Sequence, residues 1–275
     1  MSVTTLTRNG PRTMLWRLTF PRVVTSEWIK LRSVRSTFWT YAVVLALGVG
    51  ISALASLSVP ASITDPMSAA SKSSFMMTAA SFGLYVGQLA VAVLGVLAIS
   101  GEYSTGMIRS SFAAVPRRTP VLLAKSTVLF ASSFIVGVVT ILAGYAIAAP
   151  VLSGKGFTPD LTDAGTIWSI LGGGLYLGLV AVFALGLGTL LRSAAGGIAA
   201  ALGALLLLPV IANLVFSFTG IEWIGRAPQY FLNSAGQAMA GASSPLEPWQ
   251  NMAVALVWAA VPFILGLVVV KRRDA

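Results

Sequence analysis

Residues 101–125, GEYSTGMIRSSFAAVPRRTPVLLAK, form a short basic segment between two long apolar runs that contain no charged residue. Within the segment, Ile108, Phe112 and Val115 are spaced i, i+4 and i+7, which places them on one face of a helix. The hydroxyl residues at 104–105 are suited to cap the start of such a helix. The segment therefore predicts a short surface helix between two long apolar helices.

The remaining residues of this segment allow two interpretations. Pro116 is expected to end the short helix, and Glu102 is the only acid, while Arg109, Arg117 and Arg118 are cationic. In one interpretation Glu102 pairs locally with Arg109 or another nearby cation, and the arginines meet lipid phosphates. In the other, the segment is a docking surface, because a short helix with a compact apolar face fits the groove of a partner protein.

The composition indicates the class of protein. Of the 275 residues, 56% are hydrophobic and only 9% are charged, whereas soluble domains carry roughly 25% charged residues. This small number of charges cannot cover the surface of a water-soluble protein of this size. The chain is therefore expected to be an integral membrane protein.

Six apolar runs are each long enough to cross a bilayer as a helix, which takes about 20 residues. We therefore predict an all-α protein with six transmembrane helices at 38–59, 75–99, 126–149, 166–191, 194–218 and 251–270. Residues 1–37 form a basic arm, 38–270 the transmembrane domain and 271–275 a tail. The transmembrane domain contains the loop 100–125 and a long, semi-apolar outer loop, 219–250.

The cationic residues alternate between the two sides of this layout. Fifteen of the 18 lysines and arginines fall in the N-terminal arm, the 101–125 segment, the turn at Arg192 and the C-terminal tail. The other three, Lys72, Lys155 and Arg226, fall in the intervening loops. Cytoplasmic loops carry the excess of Lys and Arg in membrane proteins. Both termini are therefore expected in the cytoplasm, and the net charge of +10 indicates topology, not nucleic-acid binding.

The N-terminal arm also has two interpretations. Val24, Trp28 and Leu31 share one helical face, which predicts an amphipathic helix in the headgroup plane with Trp28 at the interface. Its cations would then lie against anionic lipid. The alternative is a solvated basic arm next to the first membrane helix.

The chain offers few residues for catalysis. It has no histidine and no cysteine, which removes the commonest general base and all thiol chemistry. It has no Gly-x-x-x-x-Gly-Lys-Ser/Thr loop for nucleotide phosphates, and no predicted span contains an acid that could carry a coupling ion. We therefore expect a non-enzymatic subunit without a cofactor or metal, whose energy source lies on another protein.

Small and polar residues within the spans have structural explanations. The pattern Gly174-x-x-x-Gly178 predicts close helix packing inside one subunit. Gln88 and Asn213 are uncharged polar residues at membrane depth, and interhelical hydrogen bonds are the expected explanation for both. Lining a substrate path is the alternative.

Several motifs resemble the family of type 2 ABC exporter permeases. The 101–125 segment is similar to the loop that follows the second span in that family. It contains, in this order, Gly101-Glu102, Gly106-Met107-Ile108, Pro116-x-Arg118 and Lys125. The sequence SEWIKLRS at 26–33 is similar to actinobacterial members. The resemblance covers residues 22–270, and the six-span layout agrees with it. One departure is Met107, at a position that is often threonine in the family.

The resemblance implies a coupling helix after Glu102 that seats in a groove of a separate ATPase subunit. It also implies that the N-terminal helix is a connector at the inner surface of a bacterial plasma membrane. Two ATPase subunits carrying ATP and Mg²⁺ would join two permease subunits, as a homodimer or a heterodimer, to form the exporter. The residues then expected to couple the subunits are Glu102, Tyr103, Arg109, Phe112, Pro116, Arg117 and Arg118.

Two other functions stay open on the sequence. An ion-driven secondary transporter remains possible because backbone and hydroxyl oxygens alone can bind sodium. A non-transporting membrane scaffold or immunity protein is the other alternative. The aliphatic and aromatic spans suit drugs, lipids or hydrophobic peptides equally as a substrate.

Overall fold

The computed structural model describes residues 19–59, 69–115, 118–157 and 160–272 of the chain. Over these residues the structure is all-helical and contains no strand. Six stretches are long and apolar enough to cross a membrane, which confirms the predicted class and number of spans. They are Arg35–Leu57, Lys72–Ser104, Arg118–Ser153, Ala164–Leu191, Ala194–Thr219 and Pro248–Arg272.

Twelve α-helices make up the described part of the chain. They are α1 (Phe20–Ser33), α2 (Arg35–Leu57), α3 (Ala69–Ser81), α4 (Leu84–Ser104), α5 (Met107–Ala114), α6 (Arg118–Ser153), α7 (Ala164–Leu191), α8 (Ala194–Leu202), α9 (Leu208–Thr219), α10 (Glu222–Arg226), α11 (Leu232–Met239) and α12 (Pro248–Arg272). A π-helical segment, Gly203–Leu207, joins α8 to α9, and a 3₁₀ turn, Ala227–Tyr230, lies between α10 and α11. The long semi-apolar loop 219–250 thus folds largely into short helices.

Helix α7 is the centre of the bundle. Within its most apolar 18-residue stretch, 72% of the residues are buried, the largest share among the six long stretches. Its glycines let three neighbouring helices approach closely. A Cβ atom added at Gly174 would lie 2.9 Å from a carbonyl oxygen of α6. A Cβ atom added at Gly188 would lie 3.0 Å from a carbonyl oxygen of α4, and one added at Gly186 would lie 2.6 Å from a backbone nitrogen of α12. The predicted use of Gly174 for packing within one chain is confirmed. Close backbone contact of this kind replaces the hydrophobic effect as the source of helix association in lipid.

Gln88 connects three helices inside the bundle. Its Oε1 accepts a hydrogen bond from the Tyr176 hydroxyl of α7, and its Nε2 donates to Asn233 Oδ1 of α11 at 3.1 Å. The predicted interhelical bonding of Gln88 is confirmed. For Asn213 no interhelical hydrogen bond forms among the described residues, and α9 has no buried residue. The exposed Asn213 amide instead donates to the carbonyl of Pro209, one turn earlier, at 2.9 Å.

A two-residue turn, Arg192 and Ser193, separates α7 from α8, as the sequence predicts. Arg192 has a left-handed backbone conformation with φ 50°, which is unfavourable for a residue with a Cβ atom. Ser193 Oγ accepts from the Gly196 amide at 3.2 Å and caps α8.

At the opposite end of the bundle, Lys155 caps the C-terminal end of α2. Its ammonium group donates to the carbonyls of Ser56, Leu57 and Val59 at 3.0, 3.0 and 2.6 Å.

Replacing Gly186 by alanine is expected to lower the thermal stability of the protein. The new methyl group would lie 2.6 Å from the α12 backbone, and overpacking of a well-packed interior typically costs about 1–3 kcal/mol. Gly50→Ala in α2 is the matched control, because a Cβ atom there meets nothing within 4 Å and alanine is the better helix former. Melting temperatures in detergent compare the two variants. Equal melting temperatures would contradict the close packing of α12 on α7.

Candidate functional site

The segment between the second and third spans contains one short helix, α5, but its ends differ from the prediction. Helix α4 continues to Ser104, and α6 begins at Arg118. The hydroxyls of Ser104 and Thr105 donate to the Gly101 carbonyl at 3.0 and 2.8 Å, so they close α4 and do not cap α5. The predicted cap is wrong because Gly106, with φ 72°, precedes α5 and reverses the chain there. Glycine adopts this left-handed conformation without steric cost.

The apolar face of α5 is turned into the core of the chain itself. Ile108 is 2% exposed and Val115 is 6% exposed. Val115 packs with Val23 of α1 and Val121 of α6. The exposed residues, spaced i, i+3 and i+6, form what we call the outer face of α5: Met107, Ser110 and Ala113. Ile108 and Val115 are therefore covered within the chain, and the outer face is the accessible part of α5 among the side chains that the structure describes.

Four charged side chains from three helices form what we call the charge cluster: Glu27 and Lys30 of α1, Glu102 of α4 and Lys125 of α6. Lys125 Nζ lies 2.6 Å from Glu27 Oε2 and 2.9 Å from Glu102 Oε1. Lys30 Nζ lies 2.6 Å from Glu27 Oε1 and 3.2 Å from Glu102 Oε1. Each acid contacts both lysines, so the four side chains form a closed ring of alternating charge. Lys30 also donates to Ser111 Oγ at 3.2 Å, which connects α5 to the ring.

Most of the charge cluster is buried. Glu27 and Glu102 are each 4% exposed and Lys125 is 6% exposed, while Lys30 is half-buried. Taking a charge out of water costs several kcal/mol, and breaking a buried pair by removing one partner costs about 3–5 kcal/mol. The ring carries two negative and two positive charges, so each member depends on the others for compensation.

Two members of the charge cluster lie just beyond the predicted spans 75–99 and 126–149, which contain no charged residue. Glu102 lies in the apolar stretch Lys72–Ser104, and Lys125 lies in Arg118–Ser153. Helix α4 continues past the end of its predicted span, and α6 begins before the start of its own. Their additional turns carry Glu102 and Lys125 into the packed end of the bundle. Glu102 pairs with Lys125 of the same segment, which agrees with a local pairing to a nearby cation, and also with Lys30 of the distant helix α1.

Lys30 titrates differently from a free lysine. Burial lowers the pKa of its ammonium group, but the hydrogen bond to Glu27 and the charges of Glu102 and Glu27 outweigh burial, so the pKa is raised above 10.5. Lys30 is therefore protonated at physiological pH. Its charge is a permanent member of the ring.

The two carboxylate oxygens of Glu102 have different surroundings. Oε1 contacts both lysines of the charge cluster. Oε2 is buried and has no hydrogen-bond partner among the described residues. A buried acceptor without a donor is unusual, and this oxygen is the one carboxylate oxygen of the charge cluster without a hydrogen-bond partner among the described residues.

Two further predicted residues connect this segment to the rest of the same end of the bundle. The Tyr103 ring is partly buried, and the Arg192 guanidinium carbon lies 5.2 Å from its centroid. Arg118 Nη1 donates to the Val270 carbonyl near the end of α12 at 3.3 Å. The segment is thus tied to the α7–α8 turn and to α12 as well as to α1.

The structure brings Glu102, Tyr103 and Arg118 to one end of the bundle. Arg109 and Phe112 belong to α5, but the described part of the structure does not include their side chains. The predicted coupling residues Pro116 and Arg117 lie outside the described residues. Their proposed role stays a prediction.

The N-terminal helix is present as α1, but its inward face differs from the predicted apolar stripe. Val23 and Glu27 are the buried residues of α1, while Val24 and Leu31 are partly buried against the core. Trp28 is 46% exposed. The three residues of the predicted stripe therefore lie along the border between the bundle-facing and outward-facing sides.

Sequence reasoning did not identify Glu27, Lys30 and Lys125 as site residues. One signal was available. Glu27 and Glu102 are isolated acids in the parts of the chain that hold most of its lysines and arginines. An acid in such a setting indicates an ion pair, but the sequence does not show which cations lie near it in space.

Comparison with models of protein families and with curated proteins finds no match for this chain. The described residues contain no group of three or more His, Cys, Asp or Glu side chains that could hold a metal ion. The basis for a functional proposal is therefore the sequence resemblance together with the geometry of this end of the bundle.

Glu27→Gln is expected to lower the free energy of unfolding by about 3 kcal/mol or more, because the buried Lys125 and the half-buried Lys30 would then share one acid. Glu222→Gln is the matched control, since Glu222 pairs with Arg226 at 3.3 Å and both side chains are exposed. An exposed helical pair of this type contributes only about 0.3–0.5 kcal/mol. Thermal unfolding in detergent measures both variants, and equally small effects would contradict the buried ring.

The raised pKa of Lys30 predicts how the ring responds to alkali. Its contribution to stability is complete below the unfolded pKa of about 10.4 and is lost as the pH rises through the higher folded pKa. The melting temperature of the wild-type protein should therefore exceed that of Lys30→Met by a constant amount up to about pH 10.4, and the two should converge above it. Convergence that begins near neutral pH would contradict the assignment.

Proposed function

We propose that this chain is the permease subunit of an ATP-driven exporter of the type 2 ABC family, in a bacterial plasma membrane. Its six transmembrane helices form the substrate path, and a separate cytoplasmic subunit hydrolyses ATP. The observation that carries the proposal is the attachment of α5 to α1, α4 and α6. The motif resemblance of the 101–125 segment supports the same assignment.

The contacts of α5 suit it to transmit a movement from a partner to the membrane helices. Ile108 and Val115 fix α5 to the core, and Ser111 connects it to Lys30 of the charge cluster. The charge cluster in turn joins α1 to α4 and α6. A displacement applied to the outer face of α5 would therefore move the ends of two membrane helices and α1 together.

The charge distribution supports a cytoplasmic position for this end of the bundle. Fifteen of the 18 lysines and arginines fall in four parts of the chain. These parts include α1, α5, the Arg192 turn and the end of α12 with Lys271 and Arg272, which lie at this end of the bundle. An excess of cations marks the cytoplasmic side. Both termini would then be cytoplasmic, and α5 would face the compartment that contains ATP.

In the complete exporter, two ATPase subunits with ATP and Mg²⁺ would dock on two permease subunits, either two copies of this chain or this chain and a second permease. Binding of ATP would close the ATPase pair and displace α5 in each permease. Arg109, Phe112, Pro116 and Arg117 are proposed as further contacts with the ATPase. Glu102 is proposed as a positioning residue, because it is buried and acts through the charge cluster.

Bulky substitutions on the outer face of α5 test the docking. Ser110→Trp and Ala113→Trp should leave the melting temperature unchanged, since both positions are exposed, and should abolish co-purification of an ATPase from the native membrane. Ser153→Trp is the matched control, because Ser153 is an exposed serine at the opposite end of α6 and its variant should retain the ATPase. The captured ATPase is identified by mass spectrometry and by its nucleotide-binding loop. Undiminished capture by both α5 variants would contradict the proposal.

The buried carboxylate of Glu102 favours ion-driven secondary transport as a second candidate. Ionisable groups buried in a membrane protein commonly carry a coupling ion, and Glu102 Oε2 has no hydrogen-bond partner in the described part of the chain. The two functions are separated by reconstituting the chain alone in proteoliposomes. Transport driven by an ion gradient without ATP, and lost in Glu102→Gln, would establish the second candidate over the first.

A further inference from the structure

The corner between α1 and α2 has an exposed surface that combines cations with aromatic rings. Trp28 is 46% exposed, and Phe38 and Trp39 are 68% and 65% exposed. Arg32 and Arg35 are also exposed and lie close to the break between the two helices at Val34. We call these side chains the corner surface: Trp28, Ile29, Arg32, Arg35, Phe38 and Trp39.

The positive charge of the corner surface is not compensated within the described structure. Glu27 is the only acid of α1, and it points into the charge cluster, where Lys30 and Lys125 neutralise it. Neither Arg32 nor Arg35 forms an ion pair or a hydrogen bond through its side chain with any described residue. The guanidinium groups are therefore available to an anion outside the chain.

The position of the corner surface along the chain indicates where that anion lies. Arg35 is the first residue of the first stretch able to cross a membrane, and Phe38 and Trp39 follow within one turn. Aromatic rings of this kind collect at the boundary between headgroups and acyl chains. Further along α2, Val43 and Leu47 are exposed and continue the surface as aliphatic side chains. The two arginines are thus expected at the level of the lipid headgroups.

We propose that the corner surface is a binding site for an anionic phospholipid, with Arg32 and Arg35 on the headgroup phosphate. Guanidinium groups bind phosphate oxygens in a bidentate geometry, and the rings and Ile29 contact the upper part of the acyl chains. A zwitterionic lipid fits less well, because its headgroup ammonium is repelled by two arginines that have no acid beside them. A lipid also fits better than an acidic protein, because the cations are continuous with the membrane-facing side of α2. This site does not depend on the transport mechanism proposed above.

Titration of the full-length protein with lipid tests the site. The detergent-solubilised protein is titrated with phosphatidylglycerol and with phosphatidylcholine, and native mass spectrometry measures the bound fraction. The wild-type protein should prefer phosphatidylglycerol, and Arg32→Gln/Arg35→Gln should reduce that preference about tenfold, since each cation near a lipid headgroup contributes to binding. Lys271→Gln/Arg272→Gln is the matched control, because it removes two exposed cations at the end of α12 and should leave the preference intact.

Three results would overturn the site. They are an unchanged preference in the Arg32/Arg35 variant, an equal loss in the α12 control, and a wild-type protein that does not prefer phosphatidylglycerol. Arg32→Lys/Arg35→Lys keeps the charges and should retain most of the preference. If the glutamine variant is not recovered as a monodisperse protein, the wild-type protein alone provides the test. Its preference for phosphatidylglycerol must be present and must decrease with rising salt concentration, because salt screens the charges of the arginines.

Discussion

Lys125 of α6 lies between Glu27 of α1 and Glu102 of α4, and Lys30 of α1 closes the ring on the other side. These residues are up to 98 positions apart in the chain, so the ring joins helices that the sequence does not place together. Because three of its four members are almost completely buried, the attachment of α1 to the bundle depends on complete charge compensation. The ring also fixes α5, whose Ser111 accepts a hydrogen bond from Lys30.

Two kinds of interaction thus hold different parts of the molecule. Among the long helices, glycines of α7 allow close backbone contact with α4, α6 and α12. The fit of these helix surfaces sets where they pack. Helix α1 has no comparable glycine contact, and it is held by charges and by a small apolar group around Val23 and Val115. One side of α1 is therefore committed to the bundle. Its other side, with Trp28 and Arg32, is exposed, so α1 would connect the proposed lipid site to α5.

The sequence was sufficient for the features that depend on local pattern. Apolar length, glycine placement and helical period predict the six spans, the turn at Arg192, the packing role of Gly174 and the existence, but not the start, of the short helix in 101–125. Features that depend on contacts between distant residues were not predictable. The period of Ile108 and Val115 identified a helical face but did not show that Val23 and Val121 cover part of it. Nothing in the sequence pattern paired Glu102 with Lys30. The pattern also did not reveal that Asn213 is exposed, on a helix without a buried residue.

The alternating order of charges in the ring can be tested by inverting it. In Glu102→Lys/Lys125→Glu, like charges become neighbours, and the melting temperature in detergent should fall well below the wild-type value. The fourfold variant that adds Glu27→Lys and Lys30→Glu restores alternation, and it should regain a large part of the lost stability. A fourfold variant that is less stable than the twofold variant would contradict a closed ring of four interdependent charges.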